Sequence, residues 1–89
     1  MSEQGVALTE AELLRAISGA VGSMGYEAWT IGITDQPGRS RAERGNPASW
    51  RSWQADSEFT ARRVEQGCRD KGMKGSPGGG TAATYVYIF

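Results

Sequence analysis

The segment Thr84-Tyr85-Val86-Tyr87-Ile88-Phe89 constrains the fold more than any other part of this chain. Its β-branched and aromatic residues are those of a strand, and they are apolar on both faces. A strand of this kind left at an open sheet edge invites aggregation. Its expected place is therefore inside a sheet, or else at a dimer interface. A partner strand is legible upstream over residues 26–34. There Trp29, Ile31 and Ile33 alternate with Thr30, Gly32 and Thr34, the period-two pattern of a half-buried strand. Antiparallel pairing of the two segments is the expected arrangement.

The rest of the chain reads as helices and connectors. Thr9-Glu10-Ala11-Glu12 is a capping box, with Thr9 as N-cap and Glu12 three positions on. Leu13, Leu14, Ile17 and Val21 follow at helical spacing, and Gly22 or Gly25 offers a stop, so a helix is expected over 10–21. After the strand, Asp35 or Gln36 caps a short helix with Pro37 in its first turn, ending near Gly45. Asn46-Pro47 opens a further helical turn reaching Trp53, in which Trp50 and Trp53 share one side. Asp56 or Ser57 begins a longer helix to about Lys71, stopped by Gly72. Ala61, Val64 and Cys68 form its apolar stripe, with Phe59 flanking. Gly67 within it costs about 1 kcal/mol relative to alanine. Residues 75–83 are a glycine-rich connector, and 1–8 a flexible N-terminus. The glycine run lacks the Gly-Lys-Ser/Thr of a phosphate loop. The sum is one α+β domain over 1–89, with a small antiparallel sheet of two to three strands against two main helices.

Composition removes several kinds of chemistry. The chain has no histidine and one cysteine, Cys68, so histidine-based triads, the usual zinc sets and an internal disulfide are excluded. No apolar run approaches the ~20 residues of a membrane span. The start, Met1-Ser2-Glu3-Gln4, lacks the basic region of a signal peptide, and a reduced cytoplasmic setting is expected. The net charge is zero but unevenly spread: residues 1–35 carry five acids against Arg15, whereas 36–89 carry seven arginines and two lysines against five acids. Solvated helix faces are the ordinary reading of this split, which also permits a basic face without a basic protein. Arginine is the residue suited to bidentate phosphate or carboxylate contacts.

Strand, turn and arginine-bearing helix, in that order, resemble the GIY-YIG nucleases over residues 28–72. In that family a strand ending in Tyr-Ile-Gly is followed by a threonine two residues on. An essential arginine lies on the next helix, and a metal-binding glutamate lies on a later one. Thr30-Ile31-Gly32-Ile33-Thr34 resembles that strand, and Ala61-Arg62-Arg63-Val64-Glu65 resembles the glutamate-bearing helix. The pattern departs at three places. Thr30 stands where the tyrosine belongs. Ser40, flanked by Arg39 and Arg41, stands where the arginine belongs. A helix occupies the place of the preceding Gly-Ile-Tyr strand. The carboxyl-terminal segment can supply that strand in a circularly permuted arrangement, since termini of small domains often lie close together. The resemblance then implies Tyr85 or Tyr87 with Arg39 or Arg41 as catalytic groups, and Glu65 as a ligand for Mg²⁺ if the domain is catalytic.

Read residue by residue, Glu65 is first an exposed helix residue pairing with Arg62 or Arg69, and only second a metal ligand. Arg39, Arg41, Arg44, Arg51, Arg62, Arg63, Lys71 and Lys74 are the candidate contacts to a DNA or RNA backbone. Trp50 and Trp53, with Arg51 between them, suit base stacking, core packing or a protein interface. The leading expectation is a nucleic-acid-backbone-binding domain, with active cleavage the minority case. The alternative is a protein-interaction module, an inhibitor or adaptor from a phage or other mobile element. An active metal nuclease is the third.

Overall fold

The computed structural model describes residues 7–76 and 83–89. In chain order the elements are α1 (Glu10–Val21), β1 (Thr30–Thr34), α2 (Pro37–Glu43), β2 (Arg51–Gln54), α3 (Glu58–Asp70), β3 (Lys74–Gly75) and β4 (Tyr85–Ile88). The α+β class is the expected one. The described sheet has four strands in the order β2-β4-β1-β3, more than the two or three expected. It is also mixed, because the short β3 runs parallel to β1.

The helices begin where the sequence says. Glu12 N–H donates to Thr9 Oγ1 at 3.2 Å and Thr9 N–H donates to Glu12 Oε1 at 2.9 Å, closing the capping box. Leu13, Ile17 and Val21 then form one buried stripe. Ser57 caps α3 by accepting from Thr60 N–H at 3.1 Å, and Ala61, Val64 and Cys68 are its buried residues. Gly72, at φ 120°, supplies the left-handed turn that ends it, and the chain drops Met73 into the core.

β4 holds the interior place foreseen for it. It is antiparallel to β1, with Ile31 opposite Ile88 and Ile33 opposite Val86. On its other side it is antiparallel to β2, with Trp53 opposite Val86. Ile31, Ile33, Val86 and Ile88 form one core with the stripes of α1 and α3. Each such side chain contributes about 1.5–3 kcal/mol on burial. Alternation sends Gly32, Thr34, Tyr85 and Tyr87 to the opposite face. There Trp50, Arg44 and Ser76 lie against Tyr87, which is why β4 is apolar on both sides.

Several local expectations give way. Residues 26–28 are a 3₁₀ turn rather than strand, because Trp29 N–H is bonded back to the Tyr26 carbonyl at 3.0 Å. The turn after Pro47 lasts one step, Trp50 N–H donating to Pro47 O at 3.2 Å, and the chain is extended from Arg51. Trp50 and Trp53 therefore do not share a side: Trp53 packs against the helix-side core, while Trp50 stacks on Tyr87 across the sheet. In extended chain an odd separation reverses the face, and helical spacing does not apply. Leu8, expected to be flexible, donates to Gln54 O and accepts from Asp56 N–H, each at 2.9 Å. In the connector, Gly75 pairs with Ile31 and Ala83 is fully buried; residues 77–82 lie outside the described residues. No helix among the described residues is long and apolar enough to cross a membrane.

Candidate functional site

The face of the sheet turned away from α1 and α3 carries the densest group of polar and aromatic side chains. Register puts Tyr87 of β4 directly opposite Gly32 of β1. A Cβ at Gly32 would overlap Cζ and Oη of Tyr87 and come within 3.0 Å of Ser76 Cβ. Only glycine there lets the phenol lie on the strand. Trp50 covers the other side of the ring, stacked at 4.4 Å between centroids and 15° between planes. Phe89 completes a triangle of near-parallel rings, 5.8 Å from Trp50 and 6.0 Å from Tyr87. These are offset-stacked distances.

The Tyr87 hydroxyl is held from the side. Its Oη donates to Ser76 Oγ at 2.9 Å. Arg44 Nη2 donates to Tyr87 Oη at 3.3 Å and also to Ser76 Oγ. Tyr87 is 2% exposed, so these bonds satisfy a hydroxyl withdrawn from water. Arg44 is delivered by the end of α2, where its N–H bonds the Ser40 and Arg41 carbonyls at 3.1 and 3.2 Å. The helix itself is tied to β1 by Thr34, whose Oγ1 accepts from Gln36 N–H at 3.0 Å and from Ser40 Oγ at 2.8 Å. Ser40 thus anchors the helix, and the arginine that reaches the tyrosine is Arg44.

The remaining candidates are distributed. Arg39 is exposed and bonds Glu43 at 3.2 Å, and Arg41 Nη2 donates to Pro47 O at 3.4 Å. Both therefore sit on the same short helix as Arg44, turned outward. Tyr85 is half-buried one step along the strand from Tyr87, on the same face. Arg51 is exposed on β2 and Lys74 on β3. On the helix layer, Arg62 pairs with Glu58 at 2.7 Å and Arg63 with Glu10 at 2.9 Å. Lys71 lies 5.4 Å from the Tyr26 ring centroid.

Glu65 belongs to α3, in the layer on the far side of the sheet from Tyr87. Partial burial raises its carboxyl above the usual range, opposed by the positive charge of Arg69 and Arg62. Among the described residues no three Cys, Asp or Glu side chains group to hold a metal ion. The residues around Tyr87 Oη are Arg44 and Ser76, donors and hydroxyls with no carboxylate among these contacts, and do not fit Mg²⁺. Cys68, fully buried on α3, has its thiol pushed up to about 11 by that burial, and is an inert core residue.

Ser76 and Phe89 are members of this cluster that sequence reasoning did not single out. Phe89 was findable, since it continues the alternation of Tyr85 and Tyr87. Ser76 was not, because a serine in a glycine-rich stretch carries no pattern. The chain matches no protein-family model, no curated protein and no solved structure.

Proposed function

We propose that this domain binds the backbone of a nucleic acid over the face built by α2, Trp50 and Phe89, without cleaving it. The observation that carries the reading is the Trp50–Tyr87–Phe89 cluster on the sheet face away from α1 and α3, in which Trp50 is stacked near both other rings and Arg44 is bonded to the Tyr87 hydroxyl. One face of Trp50 is spent on Tyr87, and the half-buried indole offers the other to a base, a contact worth about 1–3 kcal/mol. Arg41, bonded to Pro47 O just before Trp50, and Arg39 on the same helix are exposed cations. The Arg39–Glu43 pair is solvent-exposed and contributes little, so a phosphate replaces it readily. Arg44 positions the aromatic cluster rather than meeting the ligand directly.

Binding without cleavage is supported by Thr30 and Ser40 at the places where the family resemblance calls for tyrosine and arginine, and by Glu65 in the other layer. The test is tryptophan fluorescence during titration with a 12-nucleotide single strand and the matching duplex. Quenching with an affinity that falls steeply with salt, and that drops about tenfold or more in Trp50→Ala, is the expected result. No binding at low ionic strength overturns the reading.

A protein-interaction module is the second reading. It draws on Phe59, 69% exposed on α3 with the Arg63 guanidinium 5.6 Å from its ring centroid, an anchor pair of the kind found in protein interfaces. Such an interaction would survive Trp50→Ala and depend weakly on salt.

A further inference from the structure

The two edges of the sheet are finished differently. At the β3 edge the strand is two residues long, and the Arg69 guanidinium lies against Gly75, where an added Cβ would come 2.8 Å from Nε. Short strands and cations are the usual protection of an edge. The β2 edge, four residues long, has neither a proline nor a bulge; its exposed residues are Arg51, its one cation, at the start and Ser52 next to it.

Backbone accounting fixes which β2 groups are open. Ala55 N–H donates to Thr84 O at 2.7 Å, so Ala55 turns toward β4, and in a ladder Trp53 and Arg51 turn the same way. Ser52 and Gln54 therefore direct their N–H and C=O groups outward. Leu8 N–H takes the Gln54 carbonyl at 2.9 Å, which closes the edge at that end. At the other end the chain bends away before Trp50, whose N–H is bonded to Pro47 O. Among the described residues the segment of this edge without a partner strand is Arg51-Ser52-Trp53, with Ser52 at its middle.

We infer that this edge pairs with the same edge of a second copy of the chain, antiparallel about a two-fold axis at Ser52. The segment is complementary to itself in that register. Ser52 faces the second copy's Ser52 and the two exchange both backbone hydrogen bonds. Arg51 faces the second copy's Trp53, so the two like charges are kept apart and each guanidinium meets an indole, a cation–π arrangement. A register centred on Arg51 would oppose the two arginines and is disfavoured. The result is a continuous eight-stranded sheet with both Trp50–Tyr87 faces looking the same way. With three residues a side the interface is small, and dissociation on the order of 10⁻⁴ M is expected.

Sedimentation equilibrium of the full chain between about 20 μM and 1 mM tests this. The expected result is a reversible monomer–dimer equilibrium. Ser52→Pro should abolish it while leaving the circular dichroism and the urea midpoint close to wild type, because the Ser52 N–H makes no bond to β4. Arg51→Glu should weaken it about tenfold. A wild-type chain monomeric at 1 mM overturns the inference, and so does a Ser52→Pro variant that folds and dimerises undiminished. If Ser52→Pro fails to fold, Ser52 methylated on its backbone nitrogen replaces it, with the same outcomes.

Discussion

Gly32 and Tyr87 face each other across the β1–β4 ladder so closely that a single methyl group at position 32 would run into the phenol ring. Gly32→Ala should therefore destabilise the fold by about 1–3 kcal/mol, the usual result of overpacking, read as a lowered urea midpoint. In a Tyr87→Ala background the same change should cost less than half as much, since the clashing ring is gone. Equal costs in the two backgrounds would contradict the close approach.

Tyr87→Phe keeps the ring between Gly32 and Trp50 but removes the hydroxyl that Arg44 and Ser76 share. A loss of about 1–2 kcal/mol is expected, that of a buried hydrogen-bonded group. Near-ultraviolet circular dichroism from the stacked Trp50 should persist. Collapse of that signal would mean that the hydroxyl, and not the stack, holds the cluster in place.

Glu65 carries a sign that mutation can check. Burial raises its pKa in the folded state, so the folded chain holds this proton more tightly than the unfolded chain does. The group's favourable contribution is complete below the unfolded pKa and is lost as pH rises through the folded value. At pH 7 Glu65→Gln should be as stable as wild type or more so. The difference should shrink toward zero as the pH falls through the carboxylate range. A Mg²⁺-dependent rise in the wild-type midpoint, absent from the variant, would restore the metal role that the GIY-YIG resemblance implies.

Cys68 gives the opposite end of the pH scale. Its thiol ionises near 9 when free and is pushed up to about 11 in the core. The unfolded chain then loses this proton first, and stability falls as the pH climbs between those values, by up to about 2–3 kcal/mol. Comparing wild type with Cys68→Ala across that window isolates the effect. At pH 8 the native thiol should react with a disulfide reagent at least a hundredfold more slowly than in urea.

How far the sequence carried this picture depends on which interaction set each piece. Helix α1 was legible from Thr9 to Val21 because its cap, its first turn and its stripe are all local. The pairing of β4 with β1 followed from alternation and from two apolar faces that needed cover. The extended conformation of Arg51–Gln54 was hidden. Asn46-Pro47 does open a turn, but the tertiary gain of pairing Trp53 with Val86 overrides its continuation. β3 was missed because two residues make no pattern. For the candidate site, the tyrosine and its strand were read correctly as far as their placement on β4, and Arg44 stood among the basic candidates. Its meeting with Tyr87 joins residues 43 apart in the chain, a contact that local spacing does not encode.

The central position of β4 also bears on synthesis. β1 and β2 touch the same strand from opposite sides and have no ladder with each other. A nascent chain released from the ribosome as far as residue 80 can pair β1 with β3 and bring α1 and α3 together, but β2 has no strand that joins it to β1. Completion of the sheet must wait for Tyr85–Ile88 to emerge, and until then the sides of Ile33 and Trp53 that Val86 covers are left open.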